Sequence, residues 1–72
     1  MEKNEKINFT VHCIEEYKDA KGLTGKSVIA LFNRYRVIDY IWNYYEALHT
    51  TGRQYLVEDI SMYIESRQSA TG

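Results

Sequence analysis

A chain of 72 residues with 44% hydrophobic and 26% charged side chains has the composition of one globular domain, which excludes general disorder. Nine basic against ten acidic residues leave a formal charge of -1 with no block of like charge, so the usual electrostatic footprint of a nucleic-acid binder is missing. One cysteine excludes an internal disulfide framework, no apolar run approaches the ~20 residues of a membrane span, and the opening Met1-Glu2-Lys3-Asn4-Glu5-Lys6 lacks signal-peptide character; a cytoplasmic location is therefore expected.

Proline is absent, glycine is confined to segment joints and the last residue, and apolar residues recur at three- and four-residue spacing. This pattern predicts an all-α fold, a compact bundle of about four short helices forming a single domain over residues 1–72, with polar ends (1–6 and 68–72) expected to fray. In the first helix Ile7, Phe9, Val11, Cys13, Ile14, Tyr17 and Ala20 share one side, opposite Asn8, His12, Glu15, Glu16 and Asp19. Gly22 suits a left-handed stop behind it. Thr24 suits the N-cap of the second helix, whose Val28, Ile29, Leu31, Phe32 and Tyr35 oppose Lys26, Asn33 and Arg34, and which is expected to end near Arg36.

The third helix is expected over about Val37–His49, and it concentrates four of the chain's ten aromatic residues, Tyr40, Trp42, Tyr44 and Tyr45, in six positions. Its polar strip is narrow, made of Asp39, Asn43, Glu46 and Thr50. The remaining apolar arc spans roughly 200°, about twice that of an ordinary surface helix, and predicts neighbours on two sides. Tyr45 falls at the inward centre with Ile38, Ile41 and Leu48, while Trp42 and Tyr44 fall toward opposite margins. Thr51 and Gln54 have the spacing of a capping box before a fourth helix with Leu56, Val57, Ile60, Tyr63 and Ile64 inward. Tyr55 and Met62 then superpose on its outer side among Glu58, Asp59 and Glu65, an exposed apolar pair suited to a partner; an extended Tyr55–Val57 segment would dissolve the pair.

A spacing of 27 residues relates Ile14, Tyr17, Ala20, Thr24 and Gly25 to Ile41, Tyr44, Ala47, Thr51 and Gly52. Ordinary helical patterning accounts for this echo, against the alternative of two related hairpins. Ala20-Lys21-Gly22-Leu23-Thr24-Gly25-Lys26-Ser27 satisfies a relaxed phosphate-loop pattern, but a helix precedes it where that loop needs a buried strand. A cap-and-turn joint explains the same residues. His12 and Cys13 diverge by about 100° on one helix, which leaves His49 as the histidine able to approach Cys13 through tertiary packing. One cysteine and two separated histidines do not supply a structural zinc set. The carboxylate pairs Glu15–Glu16 and Glu58–Asp59 are expected to be solvated rather than held in the desolvated cleft that acid–base catalysis requires.

From Phe9 to Ile64 the chain resembles a family of small bacterial proteins known as domain of unknown function 3791. The likeness rests on Cys13-Ile14-Glu15-Glu16-Tyr17-Lys18, Gly25-Lys26-Ser27-Val28-Ile29-Ala30-Leu31-Phe32, Ile38-Asp39-Tyr40-Ile41, Tyr45-Glu46-Ala47-Leu48-His49-Thr50-Thr51-Gly52 and Gln54-Tyr55-Leu56-Val57-Glu58-Asp59-Ile60, of which the stretch from Tyr45 onward is the most specific. That family commonly places glycine after the residue corresponding to Tyr35, where this chain has Arg36. The resemblance implies no catalytic residue. It implies a small accessory protein encoded beside a larger one, in some cases one resembling an ADP-ribosyltransferase, as in toxin–antitoxin pairs.

Residues and resemblance together predict a protein-interaction module, binding a neighbouring-gene product or a second copy through Trp42, Tyr44, Tyr55 and Met62. No enzyme activity, cofactor, metal, membrane or small-molecule substrate is expected. The alternative class is a helical DNA-binding transcriptional regulator using Lys26, Arg34, Arg36 and Arg53. A thiol hydrolase or transferase using Cys13 with His49 is a third.

Overall fold

A computed structural model describes residues 2–71, with side-chain placement from residue 4 to 69 apart from Arg53. The elements in chain order are α1 (Glu2–Lys21), α2 (Gly25–Arg34), α3 (Val37–Asn43), α4 (Tyr45–Leu48) and α5 (Arg53–Thr71), with no strand among the described residues. The fold is all-α. The terminal helices run through residues 2–6 and 68–71, and the radius of gyration is 11.6 Å.

The first two joints follow their local chemistry. Gly22 is left-handed (φ 64°), and the Leu23 amide reaches back to the Lys18 carbonyl at 3.0 Å, closing α1 with a glycine-type stop. Thr24 is extended, and its hydroxyl accepts from the Ser27 amide at 3.1 Å, so it caps α2. This turn joins two helices, which removes the strand that a phosphate loop requires. At the end of α2, Tyr35 is the C-cap and Arg36 enters the left-handed region at φ 56°, ψ 38°. The substitution of arginine for glycine therefore did not remove the left-handed stop; a side chain with a Cβ occupies it. Its exposed ion pair to Asp39, at 3.5 Å, offsets little of that strain.

Two expected boundaries are corrected. The predicted third helix is two pieces, because the backbone at Tyr44 turns to φ -112°, ψ 23°. No glycine or proline marks this break. It lets consecutive rings serve different helices: Tyr44 turns back on Tyr40, with centroids 5.1 Å apart, while Tyr45 meets Phe9 of α1 edge-on at 5.4 Å. Nor does Thr51 act as the N-cap of α5. Its hydroxyl donates to the Ala47 carbonyl at 3.1 Å, as that of Thr50 does at 2.9 Å, so both threonines close α4. The Leu56 amide bonds to the Gly52 carbonyl at 2.9 Å, which makes Tyr55–Val57 helical rather than extended.

One core holds the bundle: Cys13 and Tyr17 of α1, Val28 and Phe32 of α2, Val37 and Ile41 of α3, Leu48 of α4, and Leu56, Ile60 and Ile64 of α5. Tyr17 and Phe32 meet edge-on at 5.4 Å. The buried stripe of α1 is narrower than its apolar side, since Ile7 and Val11 stay exposed along with Ala20. Ile29 of α2 is exposed as well: α2 packs chiefly on α1 and α3, which do not cover its whole apolar side. The 27-residue echo has no structural counterpart. Tyr17 is buried and its counterpart Tyr44 is exposed, while Thr24 caps a helix start and Thr51 closes a helix end.

Arg36→Gly removes the Cβ from a left-handed residue and is expected to stabilise the fold by about 1 kcal/mol, raising the melting temperature by roughly 4–8 °C. Thermal unfolding followed by circular dichroism checks this. An unchanged or lowered midpoint would show that the Arg36 side chain contributes more than its backbone strain costs.

Candidate functional site

The aromatic helix sits between the two long helices and sends one hydrogen-bond donor to each. On one margin of α3 the Trp42 indole Nε1 donates to Thr10 Oγ1 on α1 at 2.9 Å. That hydroxyl is buried and itself donates to the Lys6 carbonyl at 2.7 Å, so its donor and one acceptor site are filled. On the other margin the Tyr40 hydroxyl donates to Asp59 Oδ1 on α5 at 3.0 Å. Burial, then the Asp59 carboxylate that it bonds, push the Tyr40 phenol up to about 12. Asp59 thus departs from the solvated role expected for it, whereas its neighbour Glu58 is exposed.

Beside the Tyr40–Asp59 bond the rings form a ladder. Tyr40 stacks on Tyr63 of α5, with centroids 4.1 Å apart and planes 14° apart; Tyr44 is tilted against Tyr40, and the Arg67 guanidinium lies 5.6 Å from the Tyr63 centroid. Tyr44 remains 56% exposed at the edge of this ladder. On α5, Tyr55 stands one turn before Asp59 and seven residues before Met62, and the two are 63% and 68% exposed. Three of the four expected contact residues therefore share the α5-facing flank. Trp42 does not join them. It is half-buried toward α1, with the Lys6 ammonium 5.9 Å from its ring, and its outer edge borders a shallow depression with Ile38, Asp39 and Asn43. Tyr45, expected at the inward centre, is half-buried, with Ile41 and Leu48 filling the core instead.

The remaining sequence candidates are dispersed. Cys13 lies in the core, where burial and then the Glu16 charge push its thiol up to about 12, away from the depressed value that a thiolate nucleophile needs. His49 is exposed at the end of α4; its ring stacks on Tyr45 at 4.6 Å, and its Nδ1 lies 2.8 Å from the Tyr45 carbonyl. Among the described residues no group of three or more His, Cys, Asp or Glu side chains is placed to hold a metal ion. Nor is any helix long and apolar enough to cross a membrane. Of the basic residues, Arg36 pairs with Asp39 and Arg34 lies over the Tyr35 ring at 5.6 Å; the Arg53 side chain lies outside the described residues. Sequence reasoning missed Thr10 and the inward role of Asp59. A signal was present, because an indole N–H turned from water needs an acceptor and Thr10 is the only serine or threonine of α1.

A family model described as a protein of unknown function, DUF3791, matches residues 8–67, which contain both cross-links and the ring ladder. The chain belongs to the DUF3791 family. Neither the curated proteins nor the solved structures contain a significant match. The DUF3791 match extends slightly beyond the resemblance at both ends and takes in Arg67, which closes the ladder.

Thr10→Val leaves the Trp42 N–H without its acceptor and is expected to cost about 1–3 kcal/mol in urea unfolding. Combined with Trp42→Phe, the loss should fall short of the sum of the single losses. Additive losses would mean that the bond carries no coupling. Alkaline titration gives a second check. Cys13 and Tyr40 hold their protons more tightly folded than unfolded, so their contribution is complete below pH 9.0, the ordinary thiol value, and is lost as pH rises toward about 12. In ultraviolet titration one tyrosine should ionise near pH 12, and Asp59→Asn should lower that value.

Proposed function

We propose that this chain is a protein-interaction module, an accessory or antitoxin-like partner that covers a surface of a larger protein encoded beside it. The observation that carries this reading is the α3–α5 flank, where Tyr44, Tyr55 and Met62 are more than half exposed beside a rigid tyrosine stack. Large, pre-ordered rings at the surface are the side chains that typically anchor protein interfaces, because little entropy is lost when they are covered. The tyrosine stack on Tyr40 fixes the edge against which a partner would close. Such a module acts by occlusion, so it needs shape and apolar area rather than a catalytic group.

Charge favours a different protein over a second copy. Between its two arginines, Arg53 and Arg67, α5 carries Glu58, Asp59 and Glu65 and no other charged residue, and Arg67 lies over the Tyr63 ring. A two-fold contact through this flank would set carboxylates against carboxylates, whereas a partner with cations around an apolar pocket is complementary.

The test is co-expression with the product of the adjacent gene, followed by size-exclusion chromatography and calorimetry. Tyr55→Ala and Met62→Ala should each weaken the complex by about 2 kcal/mol or more, roughly thirtyfold, while leaving the melting temperature nearly unchanged. Trp42→Ala should instead lower stability. Unchanged affinity in both flank variants, or the absence of any complex, would remove the reading.

A further inference from the structure

Behind the tyrosine flank, on the other side of Met62, an open groove runs between the second half of α1 and the middle of α5. Its floor is apolar, formed by Ala20 and Val57. Two depressions meet at Val57: Glu16, Asp19 and Gln54 border the first, while Glu58, Glu65 and Lys21 border the second, with Met62 at its edge. Among the described side chains, four carboxylates thus line the groove against one ammonium. The groove also holds an unsatisfied polar atom. Ser61 Oγ is shut off from solvent and has no hydrogen-bond partner, which is unusual for a buried hydroxyl.

We infer that this groove receives a cationic amphipathic helix belonging to the protein partner. The inference rests on the protein-interaction reading and adds the chemistry of what is bound. A channel between two helices matches the apolar stripe of a third, whose residues at three- and four-residue spacing would cover Ala20 and Val57. Lysines and arginines flanking that stripe would face Glu16 and Asp19 on one wall and Glu58 and Glu65 on the other. Closing the groove excludes water from these pairs and strengthens them. An anionic or uncharged helix of the same shape would desolvate Asp19, Glu58 and Glu65 without supplying cations to them, so the groove selects by charge.

The experiment uses the full chain and a synthetic helical peptide with a leucine stripe flanked by lysine and arginine, titrated by fluorescence anisotropy at low and high salt. Saturable one-to-one binding that weakens with salt is expected, with backbone amide shifts centred on Ala20, Val57 and Ser61. Glu58→Lys combined with Glu65→Lys, both at exposed positions, should lower affinity about tenfold or more, whereas Tyr44→Ala should change it less than about twofold. Equal binding of a peptide with glutamates in place of the cations, shifts centred elsewhere, no saturable binding, or occupation of the groove by a second copy would each overturn the inference. If the peptide fails while the neighbouring protein still depends on Tyr55, the groove assignment falls and the interaction module stands. If the peptide binds while the neighbouring protein forms no complex, the reverse holds.

Discussion

The placement of α3 depends on two hydrogen bonds made from opposite margins of one short helix. Seven residues are too few for an isolated helix to be stable in water, so α3 exists because its neighbours hold it. Val37 and Ile41 supply burial, but burial alone is permissive about rotation around the helix axis. The Trp42–Thr10 and Tyr40–Asp59 bonds are directional, and together they fix that rotation against α1 and α5. Each donor would otherwise be left half-buried without an acceptor, a penalty comparable to a sizeable part of a small domain's total stability.

Fixing that rotation also divides the aromatic residues between structure and surface. Trp42 has its polar edge committed to α1 and one ring face near Lys6. Tyr40 is committed to α5 through both its hydroxyl and its ring, and by that commitment it becomes a platform for Tyr44. The break at Tyr44 completes the division, because it frees one ring for the α5 side and sends the next one to Phe9.

Much of this was legible in the residues. Gly22 and Thr24 act locally, through a backbone conformation and a cap, and local chemistry can be read directly from a sequence. The opposed placement of Trp42 and Tyr44 was legible too, since helical periodicity alone assigns residues to margins. What occupies a margin is tertiary information. Nothing in the 3.6-residue period says that Thr10 turns inward, that Asp59 meets Tyr40 rather than water, or that the packing of α1 and α2 leaves Ile7, Val11 and Ile29 uncovered. The break at Tyr44 was hard to see for a related reason: no glycine or proline stands there, Asn43 is only a weak helix former, and packing of Tyr45 on a helix more than thirty residues away rewards the turn. Arg36 is the opposite case. The identity of the residue argued against a left-handed stop, yet Val37 must bury immediately after it, and the geometry of the joint prevailed over the preference of the residue.

The α3 cross-links also set an order of events during synthesis. Asp59 and Tyr63 are made well after Tyr40, so the second bond and the ring stack wait for α5. Until α5 is complete, the nascent chain presents Tyr40 and Tyr44 together with the uncovered core side of Ile41. The core therefore closes late, at the arrival of the last helix, and the interval before it is when the chain is most open to capture by a chaperone or to unproductive association.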